Sequence, residues 1–212
     1  MAAVNLSGDN EFSRHCSRVV PHCPFLGPSA RIGALHVRTV HLSGEDLAAE
    51  SFYALVEETE RFRIARRAMK SRTKAALLCH NLILSPPASH EGEPRDLFDW
   101  PHYIARLLYT DVGILFGKFW QGEMDVAKDG TALPSPPVSF WSIRSKVERR
   151  DVRFFEWTPS LLARHVAAQD DEGHDPHARF GVALTASEMR AKRYYETVMA
   201  WARQRLDAEA TG

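Results

Sequence analysis

Apolar and polar residues alternate over residues 35–41, a period of two that predicts a half-buried β-strand. The apolar residues of segment 45–68 instead recur at helical spacing, and the polar residues 43–46 before them can cap the N-terminus of a helix. Residues 74–84 are continuously apolar at their centre and stop at two prolines, which predicts a central strand buried on both faces.

The second half of the chain carries further helix and strand patterns. Asp99 as a cap and Pro101 in the first turn predict a helix that ends near Leu108. Strands are predicted over 112–120 and 138–147, helices over 158–165 and 188–206, and loops over 86–97, 122–137 and 169–180. We therefore expect a single α+β domain over residues 21–212, with a mainly antiparallel sheet flanked by helices. Residues 1–20 are expected to form an N-terminal arm or a short helix.

Charge and cysteine content narrow the class of protein. The chain has 27 basic and 27 acidic residues and a formal net charge of zero, so no overall field favours a nucleic acid or an anionic membrane. No apolar run approaches the roughly 18 residues of a transmembrane helix. The 3 cysteines lack the spacing of a structural zinc site, and the N-terminus lacks a secretory pattern. These features predict reduced thiols and a cytoplasmic protein.

The chain contains no GxGxxG after a strand, no GxxxxGK[ST], no HExxH and no GxSxG. It therefore lacks the usual motifs of dinucleotide binding, P-loop phosphate chemistry, zinc proteases of the zincin type and α/β-hydrolases. The proline-rich segment 21–28 holds a thiol and an imidazole in a turn that proline should keep rigid and non-helical. Cys23 in this turn is a candidate nucleophile, although a buried structural thiol is the alternative. Several of the 10 histidines could ligate a metal or a heme, namely His22, His36, His41, His80 and His102.

Aromatic residues are dense between residues 100 and 157. They can form part of an ordinary core or line a flat apolar pocket. Three arginines near them could pair with carboxylates through two hydrogen bonds each, and these are Arg144, Arg149 and Arg153.

The order of short motifs along the chain resembles that of the bacterial YqcI/YcgG family. The motifs are Cys23-Pro24-Phe25, Gly33, the helix with Trp100, the glycine-bearing strand ending at Phe119, and the segment 136–146, which reads PPVSFWSIRSK. The likeness covers roughly residues 20–160. Lys146 stands where the family has a second arginine, and the segment between the Trp100 helix and the glycine strand is shortened.

The resemblance implies a heme protein, since members of this family bind heme and some of them hydroxylate nitrogen in arginine or related amino acids. It implies His102 as the metal ligand, with His36 or His80 as alternatives, and a heme pocket formed by Cys23, Phe25, Phe116, Phe119, Trp120, Arg144 and Lys146.

Three functions follow as hypotheses. The first is a heme-dependent oxidoreductase, an oxygenase that acts on a small nitrogen-containing metabolite in specialised metabolism and takes electrons from an unidentified donor. The second is a non-catalytic small-ligand-binding or accessory protein with the same fold. The third is cysteine-dependent catalysis at Cys23. In each case the expected partner is a small molecule, with neither nucleic acid nor membrane involved, and a homodimer is left open.

Overall fold

Four β-strands form a sheet in the part of the chain that the computed structural model describes, which comprises residues 10–127, 130–147, 151–155, 158–168, 174–180 and 188–210. The strands are β1 (Leu35–His41), β2 (Cys79–Ser85), β3 (Ile114–Phe119) and β4 (Phe140–Ser145). Their spatial order is β1-β2-β4-β3. β1 and β2 are parallel, whereas β4 is antiparallel to both β2 and β3. The sheet is therefore mixed and mainly antiparallel.

Helices surround this sheet and confirm the predicted α+β class. They are α1 (Asn10–Val19), α2 (Leu26–Arg31), α3 (Leu47–Ala68), α4 (Arg72–Leu77), α5 (Asp99–Tyr109), α6 (Pro159–Ala167) and α7 (Glu188–Ala210). Helix α3 begins where its cap predicts, because the Asp46 carboxylate accepts a hydrogen bond of 2.9 Å from the backbone N–H of Ala49. Strand β2 is buried along almost its whole length, as expected for a central strand.

Three local predictions differ from the structure. Helix α2 begins inside the segment 21–28, which was expected to be a non-helical turn, and continues to Arg31. The helix tolerates Pro28 because this proline is its third residue, where a backbone N–H has no partner inside the helix. The predicted strand 74–84 begins only at Cys79, since the Ser71 side chain caps the short helix α4 before it. Asp99 does not cap α5, and its carboxylate instead pairs with Lys118.

The two faces of the sheet are covered differently. One face, which we call the core face, carries His80, Leu82, Trp141 and Ile143, and it packs against α3, α5 and α7 in the larger hydrophobic core. The other face, which we call the cavity face, carries residues whose side chains alternate with these along the strands. They include Cys79, Asn81, Ile83, Phe140 and Ser142, with Gly117 and Phe119 from β3.

Helix α1 packs on the cavity face. Phe12 of α1 is buried, and its ring meets the Phe140 ring edge-on at 4.9 Å between centroids. Phe12, Ile83 and Phe140 form a second, smaller hydrophobic cluster. The described part of the predicted N-terminal arm is therefore a short helix that contributes to the packing of the sheet.

Candidate functional site

A cavity of about 110 Å³ lies between α1, the start of α2, the cavity face and the loop that follows β3. Helix α1 contributes His15, Cys16 and Val19, the turn after it contributes Cys23, and the start of α2 contributes Leu26. The sheet contributes Asn81, Phe119, Phe140 and Ser142, and the loop contributes Glu123, Asp125, Leu133, Pro134 and Pro136. An apolar cavity with a few converging polar groups is the usual form of a small-molecule site.

Stacked rings form the apolar floor of the cavity. The rings of Phe119 and Phe140 lie nearly parallel, with centroids 4.7 Å apart. Gly117 allows this arrangement, because a Cβ atom at residue 117 would lie 2.7 Å from the Phe119 ring. The glycine in this predicted strand thus marks the place where the Phe119 ring approaches the backbone at Gly117.

His15 is the buried polar group of the cavity wall. The residue is 4% exposed, and burial, followed by the nearby Arg18 charge, lowers the pKa of its imidazole. The Nδ1 atom of this imidazole has no hydrogen-bond partner among the described residues. A buried nitrogen without a partner costs roughly 1–3 kcal/mol, which a hydrogen-bond donor placed beside Nδ1 would recover.

The three thiols of the chain are gathered around the same cavity. Cys16 and Cys23 line it, and the Sγ atom of Cys79 lies 3.5 Å from the Ser142 hydroxyl. Burial and the neighbouring thiols raise the pKa of Cys16 to about 12, and burial raises that of Cys79 to about 11. Cys16 and Cys79 are therefore protonated near neutral pH and are poor nucleophiles.

Two carboxylates belong to the cavity lining. Glu123 is half-buried and Asp125 is exposed, which places this acidic pair on the solvent side of the cavity. Burial raises the pKa of Glu123, and the negative charge of Asp125 raises it further. An ionised Glu123 is thus less stable here than in water, a situation that a bound cation would relieve.

Part of the predicted heme pocket lies at this cavity or beside it. Cys23 and Phe119 are in the lining. Arg144 projects from the cavity face of β4, but its guanidinium lies 4.6 Å from the centroid of the Phe25 ring. The same guanidinium forms two hydrogen bonds with the carboxylate of Asp151, of 2.6 and 3.2 Å. The Arg144 guanidinium is therefore already paired with Asp151 and lies over the Phe25 ring.

The predicted metal ligand His102 lies on the opposite side of the sheet. Its Nε2 atom is 3.2 Å from the backbone oxygen of Phe116, and its ring is stacked on Trp141 in the larger core. Burial and the Arg106 charge lower the pKa of His102 to about 3. The Phe116 ring packs against Tyr109 in the same core. Neither His102 nor Phe116 lines the cavity.

The remaining predicted pocket residues are also elsewhere. Trp120 packs against Phe98, with ring centroids 6.4 Å apart. The ammonium group of Lys146 donates to three carbonyl groups at the end of α6, those of His165, Val166 and Ala168. This contact is a helix C-terminal cap rather than a ligand contact.

The two alternative metal ligands form a cluster of their own on the core face. The Nδ1 atom of His80 lies 2.6 Å from the Glu58 carboxylate, and the His36 ring is 4.8 Å from the His80 ring. Arg38 holds the other oxygen of Glu58 at 2.8 Å. In the described parts of the chain, no three histidine, cysteine, aspartate or glutamate side chains are grouped so that they could hold a metal ion.

Several cavity residues were missed by the motif analysis. Phe12, His15, Cys16 and Val19 recur three or four residues apart, which is the spacing of one helix face, and this signal alone could have drawn attention to His15. Asn81 and Ser142 gave no such signal. They face each other only because β2 and β4 pair in a register that opposes them.

Comparisons with known proteins add no identification. None of the described helices is both long enough and apolar enough to cross a membrane. No protein-family model, no curated protein and no solved structure matches this chain, so the resemblance to the YqcI/YcgG family stays a prediction.

Proposed function

We propose that this protein binds a small, mainly apolar molecule in the cavity between α1 and the sheet. The observation that carries this proposal is the pairing of a ring-lined cavity with a buried imidazole nitrogen that has no partner among the described residues. The rings supply apolar contact area, and Nδ1 of His15 supplies one directional polar contact. The predicted cytoplasmic location and reduced thiols are part of this proposal.

The size of the cavity indicates the size of the ligand. A dry engineered cavity of about 150 Å³ accommodates benzene. The cavity described here is smaller, at about 110 Å³, and is not fully enclosed, so it suits one small ring whose substituent extends through the opening. The protonated thiols of Cys16 and Cys79 offer packing surface and weak hydrogen bonds. These properties make Cys16 and Cys79 poor nucleophiles, and catalysis at Cys23 stays a prediction.

A heme does not fit the residues predicted to hold it in this conformation. The nitrogen of His102 that would bind iron is already 3.2 Å from a backbone oxygen, and His102 and Cys23 lie on opposite sides of the sheet. The cavity beside Cys23 is smaller than a porphyrin requires, since even drug-sized ligands occupy pockets of roughly 300–1,000 Å³. The heme-dependent oxygenase function therefore stays a prediction of the family resemblance.

Titration with heme tests that prediction directly. We expect His102→Ala to leave any heme absorbance in the Soret region unchanged, because this imidazole is bonded to the Phe116 backbone and lies away from the cavity. A stoichiometric Soret band that disappears in His102→Ala but persists in His15→Ala would contradict the binding proposal and establish the heme hypothesis instead. The folded state of each variant is checked by circular dichroism.

Filling the cavity should abolish binding of a small aromatic probe. We expect benzene to shift the amide resonances of α1 and β4 in the unmodified protein, and Leu133→Trp to reduce this effect at least about tenfold, because the indole takes the place of the probe. Ile64→Trp is the matched control, since Ile64 is 62% exposed on α3. Benzene shifts that are equal in Leu133→Trp and Ile64→Trp, or absent from the unmodified protein, would overturn the proposed function.

A further inference from the structure

We infer that the ligand of this cavity is a protonated amine carried on a compact apolar body. This inference rests on the proposed function and adds the chemical class of the ligand. It is drawn from the charges of the cavity lining, from the free nitrogen of His15 and from the stacked rings of the floor.

The formal charge of the lining is negative. Among the residues that the structure describes, Glu123 and Asp125 line the cavity, whereas no lysine or arginine does. Because a carboxylate pair beside an apolar surface repels anions, a ligand carboxylate or phosphate would be opposed in this cavity. A ligand ammonium group would gain charge-assisted hydrogen bonds on the same side.

Neighbouring cations offset this pair only in part. Lys118 and Arg95 lie near enough to Glu123 to lower its pKa through space, but both are held by the carboxylate of Asp99, at 2.5 and 2.9 Å. Arg18 lies near His15 but is exposed outside the lining. Among the described residues, Lys118 and Arg95 share the single negative charge of Asp99, so a net charge of +1 lies beside the two carboxylates of the lining and one negative charge of the pair remains.

The nitrogen of His15 has the protonation state that an ammonium group needs. Burial lowers the pKa of His15, so its imidazole is neutral near neutral pH, and Nδ1 is the nitrogen without a partner among the described residues. A neutral imidazole that donates from Nε2 keeps a lone pair on Nδ1. In that tautomer Nδ1 accepts a hydrogen bond, and the N–H of an amine can provide it.

The floor of the cavity suits the rest of such a molecule. The parallel rings of Phe119 and Phe140 offer apolar area for a ring or a short chain. An ammonium group near the face of a ring also gains a cation–π attraction. The lining thus separates an apolar floor from an acidic entrance, which matches a compact molecule with a single cationic end.

Three probes of the same size test the inference, namely benzylamine, benzyl alcohol and benzoate, followed by amide chemical shifts of the full chain. We expect benzylamine to bind about tenfold more tightly than benzyl alcohol, and benzoate more weakly than either. We also expect added salt to reduce the advantage of the amine. Binding of the alcohol or of benzoate as tight as that of benzylamine would overturn the inference while leaving the proposed function intact, whereas binding of none of the three would overturn the proposed function.

Variants of the acidic pair test whether these two carboxylates cause the preference for benzylamine over benzyl alcohol. Glu123→Gln should remove most of the advantage of benzylamine without changing the affinity for benzyl alcohol. Asp125→Asn provides a second, exposed position should Glu123→Gln not fold. Glu93→Gln is the control, because Glu93 is an exposed acid outside the lining. An unchanged preference in both lining variants would contradict the role of the acidic pair.

Discussion

Replacement of Asp151 by alanine is expected to lower the free energy of unfolding by about 3–5 kcal/mol, because it leaves a nearly buried guanidinium without its counter-ion. The side chain of Asp151 is 0% exposed and that of Arg144 is 15% exposed. Asp151 accepts two hydrogen bonds from Arg144 and one from the backbone N–H of Val147. Alanine would remove all three bonds at once.

The same pair should make stability depend on acid pH. Burial raises the pKa of Asp151, but the nearby His165 ring, whose Nε2 lies 3.6 Å from the carboxylate, and the hydrogen bonds and charge of Arg144 outweigh it and lower the pKa to about 2. Since the unfolded carboxyl titrates near pH 4, the contribution of the pair is fully present above about pH 4 and is lost as the pH falls through about 2. Its size is about 2–3 kcal/mol.

Urea denaturation at neutral and acid pH measures both effects. Asp99→Ala is the matched control, because the Asp99 side chain is 41% exposed and its ion pairs face solvent. We expect that control to cost about 1 kcal/mol or less. Equal losses in Asp151→Ala and Asp99→Ala, or a loss in Asp151→Ala that does not shrink at low pH, would show that the pair does not stabilise the fold as described.

Trp141→Ala should destabilise the fold by a similar amount, about 3–5 kcal/mol, through the cavity that it opens in the larger core. Trp141 is fully buried, and its ring lies 4.6 Å from that of Phe98. Its indole N–H donates to the Ser51 hydroxyl at 3.1 Å. The substitution would therefore remove both packing and a buried hydrogen bond that joins β4 to α3.

Trp120→Ala is the control for this second prediction, because Trp120 follows β3 and is only partly buried. We expect it to cost clearly less than Trp141→Ala, with both values taken from thermal and urea melts. If Trp120→Ala were the more damaging change, the larger core would not be centred on Trp141. The circular dichroism of the folded Trp120→Ala protein should match that of the unmodified chain.

Local patterns predicted most of the secondary structure. The positions of β1, α3 and α7 follow from periodicity and from the cap at Asp46, since these signals act between residues close in the sequence. Pro101 in the first turn placed α5 correctly, although the predicted cap at Asp99 was wrong. The errors at α2 and α4 have the same local origin. Proline is compatible with the first turn of a helix, and a short apolar run does not distinguish a helix from a strand.

The candidate site was predicted much less well. Phe116 and Phe119 were placed in one pocket, although an odd spacing along a strand puts them on opposite faces, and the structure shows this separation. That separation was readable from the sequence. The position of His102 on the core side could not be read from the sequence, because it depends on which side of the sheet α5 packs.

What the sequence by itself determined about this protein is its fold class and most of its elements, because capping and hydrophobic periodicity are properties of neighbouring residues. The tertiary structure alone decided which side chains meet. Packing of α1 on the sheet and the pairing of β2 with β4 bring His15, Asn81 and Ser142 to one cavity from distant parts of the chain. Such contacts depend on the register and the packing of whole elements, and no local pattern specifies these.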